Sequence, residues 1–483
     1  MKFTVGKYVR PHPDPLLGKR AGVSADVQPN SSEARRPAGR RGQFFLRLTT
    51  ALAVAIMLSC ATLRAETLLL SNAIVHTVSS AVITNGEVLV QSGKIIQVFD
   101  SNLRTRRMLP ADVTVVDLKG AHLYPGLIAL DTALGLVEIN GVRSTRDQSE
   151  VGDYTPDVTS WVAVNPDSVL LPVARANGVA FFEPTPQGGI VSGQSGLVAL
   201  AGWTTEEMGY KKPIALHIFW PGMALNLTPK DKAANQSKWK SPEDQARARR
   251  EKLKALADFF EEAHAYAKAK EAGAKNTAVF RANPPWEAML PFVRGELPLT
   301  IHADDEREIV AAVGWATTNH YRIILAGGRD AWRVAGLLAT NGIPVIYEHV
   351  FTQPARDTDA YDAQFAAAEV MRQAGVKVVF STGTDSASLV KNLPYEAAQA
   401  VAFGFPADEA IKGITLYPAQ LAGVAERVGS IESGKDATLF VADGDILDIR
   451  SHVQRMWIAG QEVSLDDRHK RFYEKYRNRP KTP

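Results

Sequence analysis

The middle of the chain alternates short apolar runs with helical stretches, and no other feature constrains the fold as strongly. The apolar runs cover residues 179–182, 298–301, 322–325, 344–347 and 377–380, and helical patterns cover residues 307–316, 331–340 and 364–374. Gly342 and Gly375 stand where the last two helices should end. Strands that alternate with helices over this length predict a parallel sheet, and an α/β fold of the (β/α)8 TIM-barrel type matches the size.

Short runs rich in Val, Ile and Leu flank this middle on both sides. They cover residues 67–76, 87–91, 94–99 and 113–118 before it, and residues 437–442, 453–458 and 462–463 after it. Such runs predict β-strands, so both ends of the chain should build one small β-sandwich domain. The predicted limits are residues 66–123 and 427–465 for this domain and 124–426 for the barrel, followed by a basic tail at 466–483.

A helical insertion at about residues 225–290 interrupts the barrel pattern. Within it, residues 241–273 predict one long helix, in which Ser241 is the N-cap, Pro242 is the first helical residue and Gly273 marks the end. Two interpretations of this helix stay open. It either presents a charged face to solvent or forms a lid over the barrel mouth.

The first 65 residues differ from the rest in charge. They hold 11 Lys and Arg against 3 Asp and Glu, whereas the remaining residues hold 44 against 49. The negative remainder argues against a nucleic-acid partner. Residues 40–65 run from basic to apolar to small, which is typical of a secretory signal peptide, and the apolar run at 48–63 is short for a membrane span. We therefore expect an exported protein, periplasmic or extracellular, without a stable membrane span after cleavage. Cys60 is a poor match to a lipoprotein signal.

Three motifs follow one another in the order of a known superfamily. Residues 123–136 read L-Y-P-G-L-I-A-L-D-T-A-L-G-L, residues 415–419 read T-L-Y-P-A, and residues 429–437 read G-S-I-E-S-G-K-D-A. These segments resemble the first barrel strand, the last barrel helix and the return to the small domain in the metal-dependent amidohydrolases. The imidazolonepropionase-like branch is the most similar. The resemblance implies a barrel beside a small β-domain.

The same resemblance implies where a metal would be held. The superfamily uses two histidines on strand 1, a histidine on strand 5, often one on strand 6, and an aspartate on strand 8. In this chain the strand-1 positions fall on Asp131 and Ala133, the strand-5 histidine on His302 and the strand-8 aspartate on Asp385, and residues 323–328 of strand 6 contain no histidine. The resemblance thus implies a degenerate metal site.

Asp131, His302 and Asp385 would together offer two carboxylates and one imidazole to a metal. Because both strand-1 imidazoles are replaced, we expect at most one divalent ion, zinc or manganese, held weakly, or no metal. A second interpretation of Asp131 is that it pairs with a nearby cation or a backbone amide.

Four further residues need an interpretation. His349, which follows the seventh strand, binds substrate, acts as a general base or is an ordinary loop histidine. His122 and His217 have no partner that sequence spacing supplies. Ser195 lies in G-Q-S-G-L, where Leu197 breaks the G-x-S-x-G pattern of nucleophilic serines, and this predicts a turn.

The resemblance implies a hydrolase that acts on carbon–nitrogen bonds other than peptide bonds, in a small cyclic amide or dipeptide-like substrate. Asp385 and His349 would be its catalytic residues. The alternative is a non-catalytic homologue that serves as a binding protein or partner subunit. Association with a second copy or with an active relative is compatible with both.

Overall fold

Strands build both the centre and the flanks of the molecule. The computed structural model describes residues 67–101, 112–274 and 281–480. Its strands are β1 (Thr67–Val75), β2 (Ile83–Gln91), β3 (Lys94–Asp100), β4 (Val113–Asp117), β5 (His122–Pro125), β6 (Leu127–Thr132), β7 (Val179–Pro184), β8 (Val191–Ala199), β9 (Gly209–Phe219), β10 (Leu299–Ala303), β11 (Ile323–Gly327), β12 (Val345–Tyr347), β13 (Val378–Phe380), β14 (Leu439–Ala442), β15 (Val453–Ile458) and β16 (Gln461–Glu462). Residues 1–65, and with them the predicted signal peptide and Cys60, lie outside the described residues.

Helices fill most of the connections between strands β6 and β14. The α-helices are α1 (Leu170–Arg175), α2 (Thr205–Met208), α3 (Pro242–Ala274), α4 (Pro284–Val293), α5 (Glu306–Thr318), α6 (Ala335–Thr340), α7 (Ala363–Gln373), α8 (Leu393–Ala402), α9 (Ala407–Ile414), α10 (Leu416–Leu421) and α11 (Arg468–Arg477). Short 3-10 helices cover Arg143–Thr145, Ser160–Val162, Lys230–Lys232, Ala331–Val334 and Ala387–Asn392. In the described part of the chain, no helix has the length and apolar character needed to cross a membrane.

Strands β6 to β13 form the barrel sheet, in sequence order and nearly closed. The hydroxyl of Ser381, just after β13, donates a 2.7 Å hydrogen bond to the carbonyl of Leu130 in β6, which joins the two ends. This confirms the predicted α/β barrel. One strand departs from an all-parallel arrangement, because β8 is antiparallel to both β7 and β9.

The position of β8 corrects the interpretation of the G-Q-S-G segment. Gly193 and Ser195 lie inside this strand, whose nine residues are all buried, and not in a turn. Glycine and serine usually weaken a strand, so local propensity pointed away from the observed structure. Burial between β7 and β9 overrides that propensity.

The flanks of the chain share a second sheet. Its order is β16-β15-β14-β5-β1-β2-β3, and β4 pairs with β1. The contact between the two ends of the chain is the antiparallel pair β5–β14, in which Leu123 lies opposite Val441. Both residues belong to a core separate from that of the barrel, together with Leu70, Ile95 and Trp457. Strands from both flanks therefore stabilise one another through this sheet.

Gly126 lies where the chain passes from the flank sheet into the barrel, between β5 and β6. A Cβ atom at this position would lie 2.4 Å from the Cβ of Ala180 and 2.9 Å from Cγ2 of Thr438. These two neighbours belong to the barrel and to the C-terminal flank. The glycine of the first motif is thus required by close packing at this junction.

The long insertion helix α3 begins as the sequence predicts, because the Ser241 hydroxyl accepts a 3.1 Å hydrogen bond from the backbone N–H of Asp244. Its buried face carries Leu256 and Phe260, and the ring of Phe260 meets Trp315 of α5 edge-on at 5.0 Å. Since α5 follows β10, this face packs on the outer helices of the barrel. Whether the helix also acts as a lid stays a prediction.

Candidate metal centre

Three side chains that can ligate a metal converge at the ends of barrel strands. Asp131 lies at the end of β6, His217 on β9 and His302 on β10, and one ligand atom from each lies within 4.8 Å of the others. The Nδ1 atom of His217 is 3.0 Å from Nε2 of His302. The other ring nitrogen of His302 is 3.6 Å from Oδ2 of Asp131. The fold therefore assembles a carboxylate and two imidazoles, which are separated in sequence.

The carboxylate of Asp131 is the least satisfied group of this centre. The residue is fully buried, and among the described residues neither of its oxygens has a hydrogen-bond partner. Such a group normally costs free energy unless a partner satisfies it. Its backbone adopts a φ of 55°, a left-handed conformation that aspartate tolerates better than most residues. Of the two predicted alternatives, a backbone amide does not bind this carboxylate among the described residues, and a candidate for the nearby cation is His302, whose Nδ1 lies 3.6 Å from Oδ2.

The charges of the centre are set by burial and by neighbours. Burial acts to raise the pKa of Asp131, but His302 and then the Glu348 carboxyl group outweigh it, so the pKa of Asp131 lies below its ordinary value. Burial and the Asp131 charge raise the pKa of Glu348 well above its ordinary value. Burial lowers the pKa of His302 to about 4 despite the nearby carboxylate. At neutral pH the centre thus presents one carboxylate and an uncharged imidazole of His302.

This arrangement fits a divalent metal ion. A tetrahedral ion that binds two imidazoles at about 2.0–2.1 Å holds their nitrogens about 3.3 Å apart, close to the 3.0 Å between His217 and His302. The unpartnered oxygens of Asp131 supply the third ligand type. Two nitrogens and one carboxylate suit zinc or manganese. Three protein ligands also leave a coordination position for water, as catalytic sites require.

The ring of His302 is fixed by its neighbours. Phe219, the last residue of β9, stacks on it with centroids 4.0 Å apart and an angle of 4° between the planes. Register explains the contact, since His302 and Phe219 are opposite each other in the parallel pair β9–β10. Stacking holds the imidazole plane so that one nitrogen faces His217 and the other faces Asp131.

Behind the ligands, Glu183 of β7 and Ser195 of β8 form a buried polar network with His217. The Ser195 hydroxyl donates to Oε1 of Glu183 at 2.5 Å. The Nε2 atom of His217 lies 2.8 Å from Ser195 Oγ and 3.2 Å from the same Glu183 oxygen. The second Glu183 oxygen accepts a 3.0 Å hydrogen bond from the backbone N–H of Asp131. One carboxylate therefore contacts two of the three ligand residues.

His349 and Asp304 form a second polar pair at the same end of the barrel. Nε2 of His349 lies 2.8 Å from Oδ1 of Asp304, while Nδ1 of His349 is buried and has no hydrogen-bond partner in the described chain. Asp304 follows β10 by one residue, which places it two residues after His302. Burial acts to raise the pKa of Asp304, but His349 keeps it below its ordinary value. An ionised aspartate thus orients a histidine whose other nitrogen is free.

The structure brings two of the three predicted metal ligands together. Asp131 and His302 meet as the resemblance implies, whereas Asp385 lies outside the group, with an exposed side chain. The Asn140 side chain binds the Asp385 backbone carbonyl at 2.7 Å. The residue that directly follows the eighth strand is Ser381, so the motif containing Asp385 is displaced further along the loop. Ala133 is buried and supplies no ligand atom.

His217 is the ligand residue that sequence analysis missed. It lies in I-A-L-H-I-F, an apolar run of residues 214–219 that is the only available sign of a buried strand. Its partners are 34 and 85 residues away, at Glu183 and His302. Because these distances follow from strand order, no motif at short spacing could identify it.

Comparison with known proteins agrees with this architecture. Residues 204–464 match the model of a family described as "Amidohydrolase family". Amidohydrolase tasK of Hapsidospora irregularis is 21% identical over 408 residues, which make up 79% of this chain but 40% of that protein. A crystal structure of an amidohydrolase from Thermotoga maritima MSB8 is similar with a TM-score of 0.70 and 25% identity, over 82% of this chain and 99% of the other.

Proposed function

Because the chain belongs to the amidohydrolase family, we propose that it is a metal-dependent hydrolase of carbon–nitrogen bonds in a small amide. The observation that carries the proposal is the fully buried carboxylate of Asp131, which lacks a hydrogen-bond partner among the described residues and faces the paired imidazoles of His217 and His302. The neighbouring His302 and Glu348 side chains lower the pKa of this carboxylate but make no hydrogen bond of regular geometry to its oxygens. A divalent cation supplies the missing interaction.

The proposed roles follow from the contacts. Asp131, His217 and His302 hold the metal, which supplies Lewis-acid chemistry and a water molecule of lowered pKa. His349 accepts or returns a proton through its free Nδ1 atom, because Asp304 holds the other nitrogen. Asp304 is thus a positioning residue. Asp385, which is exposed near the barrel mouth, is proposed to contact substrate or take part in proton transfer without binding the metal.

The proposed substrates are cyclic amides or dipeptide-like molecules, as the resemblance implies. Loops that follow three barrel strands are proposed to restrict access to the centre. The Gln187 side chain receives a 3.0 Å hydrogen bond from Gln148 and reaches the Thr384 carbonyl at 3.4 Å. These bonds connect the loops after β6, β7 and β13. A small amide is therefore a better match to this mouth than a long peptide.

Elemental analysis and turnover test the proposal together. We expect about one zinc or manganese ion per chain after purification without chelator, and hydrolysis of at least one member of a panel of cyclic amides and acyl-dipeptides. Asp131→Asn should lower the metal content at least about tenfold and abolish turnover. Asp385→Asn is the matched control, since it should leave the metal content unchanged. A wild-type protein that stays metal-free and inactive after incubation with zinc and manganese would contradict the proposal.

A further inference from the structure

We propose that Glu183 is a positioning residue that fixes the ring protons of His217 and the backbone of Asp131, with Ser195 as its hydroxyl partner. Its importance for metal binding rests on the function proposed above, but the proton positions do not. Glu183 and Ser195 are 2% and 0% exposed, so neither side chain exchanges its partners with bulk water. The network is therefore a fixed part of the barrel interior.

The proton positions follow from the distances. The Ser195 Oγ–H group donates to Glu183 Oε1 across 2.5 Å. The serine proton is therefore used on Glu183 and cannot be donated to His217. Since Nε2 of His217 faces only the Ser195 and Glu183 oxygens, at 2.8 and 3.2 Å, it must itself be the donor. His217 thus carries its proton on Nε2.

This tautomer leaves a lone pair on Nδ1 of His217, the atom that faces His302. In the metal-free protein this lone pair would accept a hydrogen bond from Nε2–H of His302, which lies 3.0 Å away. Metal binding would release that proton, as ligation by histidine requires. If the proton of His217 were on Nδ1 instead, this residue could not ligate from the side that faces the other ligands.

The second oxygen of Glu183 acts on Asp131. It accepts the 3.0 Å hydrogen bond from the Asp131 backbone N–H, where the chain adopts a positive φ of 55°. The same backbone is held from the other side, because the Ser381 hydroxyl contacts the Asp131 carbonyl at 3.1 Å. Glu183 therefore stabilises the conformation that directs the Asp131 carboxylate toward the two histidines.

These contacts also exclude a nucleophilic role for Ser195. A serine that attacks substrate must be reachable and must give its proton to a histidine. Ser195 has no exposed surface, and its proton lies toward Glu183. Its contact with His217 resembles a serine–histidine pair in distance alone.

The decisive measurement is the tautomer of His217 in metal-free protein. We would label the ten histidines with 15N, record long-range 1H–15N spectra, and assign His217 from the signals that disappear in His217→Gln. We expect protonation on Nε2 in the wild type. Protonation on Nδ1 would overturn the proposal, whether or not the protein binds metal.

Metal affinity tests the consequence. Glu183→Gln keeps the shape but places an amide N–H₂ near His217, so we expect a shift of the proton toward Nδ1 and a loss of zinc affinity of about 10–100-fold. Ser195→Ala should retain the Nε2 tautomer and lose less affinity, because Glu183 still accepts from His217. Glu396→Gln is the matched control, a buried glutamate outside the network, and should bind zinc as the wild type does.

Two outcomes separate this inference from the proposed function. A wild type with the Nε2 tautomer but no zinc binding would contradict the function and leave the inference standing. Wild-type affinity and an unchanged tautomer in folded Glu183→Gln would overturn the inference and leave the function standing. If Glu183→Gln does not fold, the wild-type tautomer and the Ser195→Ala affinity still decide.

Discussion

Two buried carboxyl groups of this protein have pKa values shifted in opposite directions. Asp131 keeps a low pKa because His302 and the Glu348 carboxyl group outweigh the effect of burial. For Glu396 the cause is burial, which raises its pKa to about 8. One of its oxygens is buried and lacks a hydrogen-bond partner within the described residues. Polar neighbours, and not burial alone, thus distinguish the site carboxylate from a structural one.

Glu396 leads to a prediction about stability and pH. Its pKa in the folded state, about 8, lies above the ordinary 4.5, so its contribution to stability is fully present below pH 4.5 and is lost as pH rises through 8. Glu396→Gln removes this titration. We expect variant and wild type to respond alike to pH below 4.5, with the variant gaining about 2–5 kcal/mol relative to wild type by pH 8.

Urea unfolding at pH 4, 6 and 8 measures this difference. A difference in unfolding free energy that stays constant across the three values would contradict the raised pKa of Glu396. Asp448→Asn, at an exposed carboxylate bound to Arg450, is a control that should not reproduce the rise.

At the scale of elements, the junction between the two sheets depends on one small residue. Gly126 joins β5 of the flank sheet to β6 of the barrel, and the side chains of Ala180 and Thr438 leave no room for a Cβ atom. Asp131 lies five residues further along the chain, near the end of β6. A shift of β6 at this junction would therefore also move Asp131.

We predict that Gly126→Ala destabilises the protein by about 1–3 kcal/mol, because β6 must shift away from β7 or the C-terminal flank. Gly314→Ala is the control. Gly314 lies within α5 and has no neighbouring atom within 4 Å of an added Cβ, so alanine should be neutral or stabilise by up to about 1 kcal/mol. Thermal and urea unfolding measure both variants. Equal stability of the two would show that the junction can relax.

At the scale of the whole molecule, Asp436 connects three parts of the chain. Its carboxylate contacts Lys94 of β3 at 2.5 Å, the hydroxyl of Tyr210 in β9 at 2.6 Å and Arg427 at 2.9 Å. The residue is 6% exposed, whereas both cations are half-exposed, so the buried bond to Tyr210 should matter most. The carboxylate thereby attaches the flank sheet to the barrel.

Asp436→Ala should lower the free energy of unfolding by about 1–3 kcal/mol, since the Tyr210 hydroxyl loses its buried acceptor. Asp436→Asn should lower the free energy of unfolding by less than Asp436→Ala does, because its amide oxygen can still accept from Tyr210. Differential scanning calorimetry would also show whether the flank sheet and the barrel still unfold in one transition. An unchanged Asp436→Ala variant would mean that hydrophobic contacts alone hold the two sheets together.

Much of the architecture follows from local pattern. Five predicted barrel strands correspond to β7 and β10–β13, and the predicted long helix corresponds to α3. Buried strands produce continuous apolar runs, and capping residues such as Ser241 mark helix ends, so both signals are present at short range in the chain. The strands β8 and β9 were missed because glycine, serine, lysine and histidine interrupt their apolar character.

The residues of the candidate centre also fall into those that local sequence predicts and those that the fold brings together. The motifs predict Asp131 and His302, because each stands in a segment that resembles a strand of the family barrel. No local pattern predicts that His217 completes the group, that Glu183 and Ser195 lie behind it, or that Asp385 lies outside it. Short-range pattern encodes each strand, whereas strand order, the reversal of β8 and the register of β9 on β10 decide which side chains meet across the barrel.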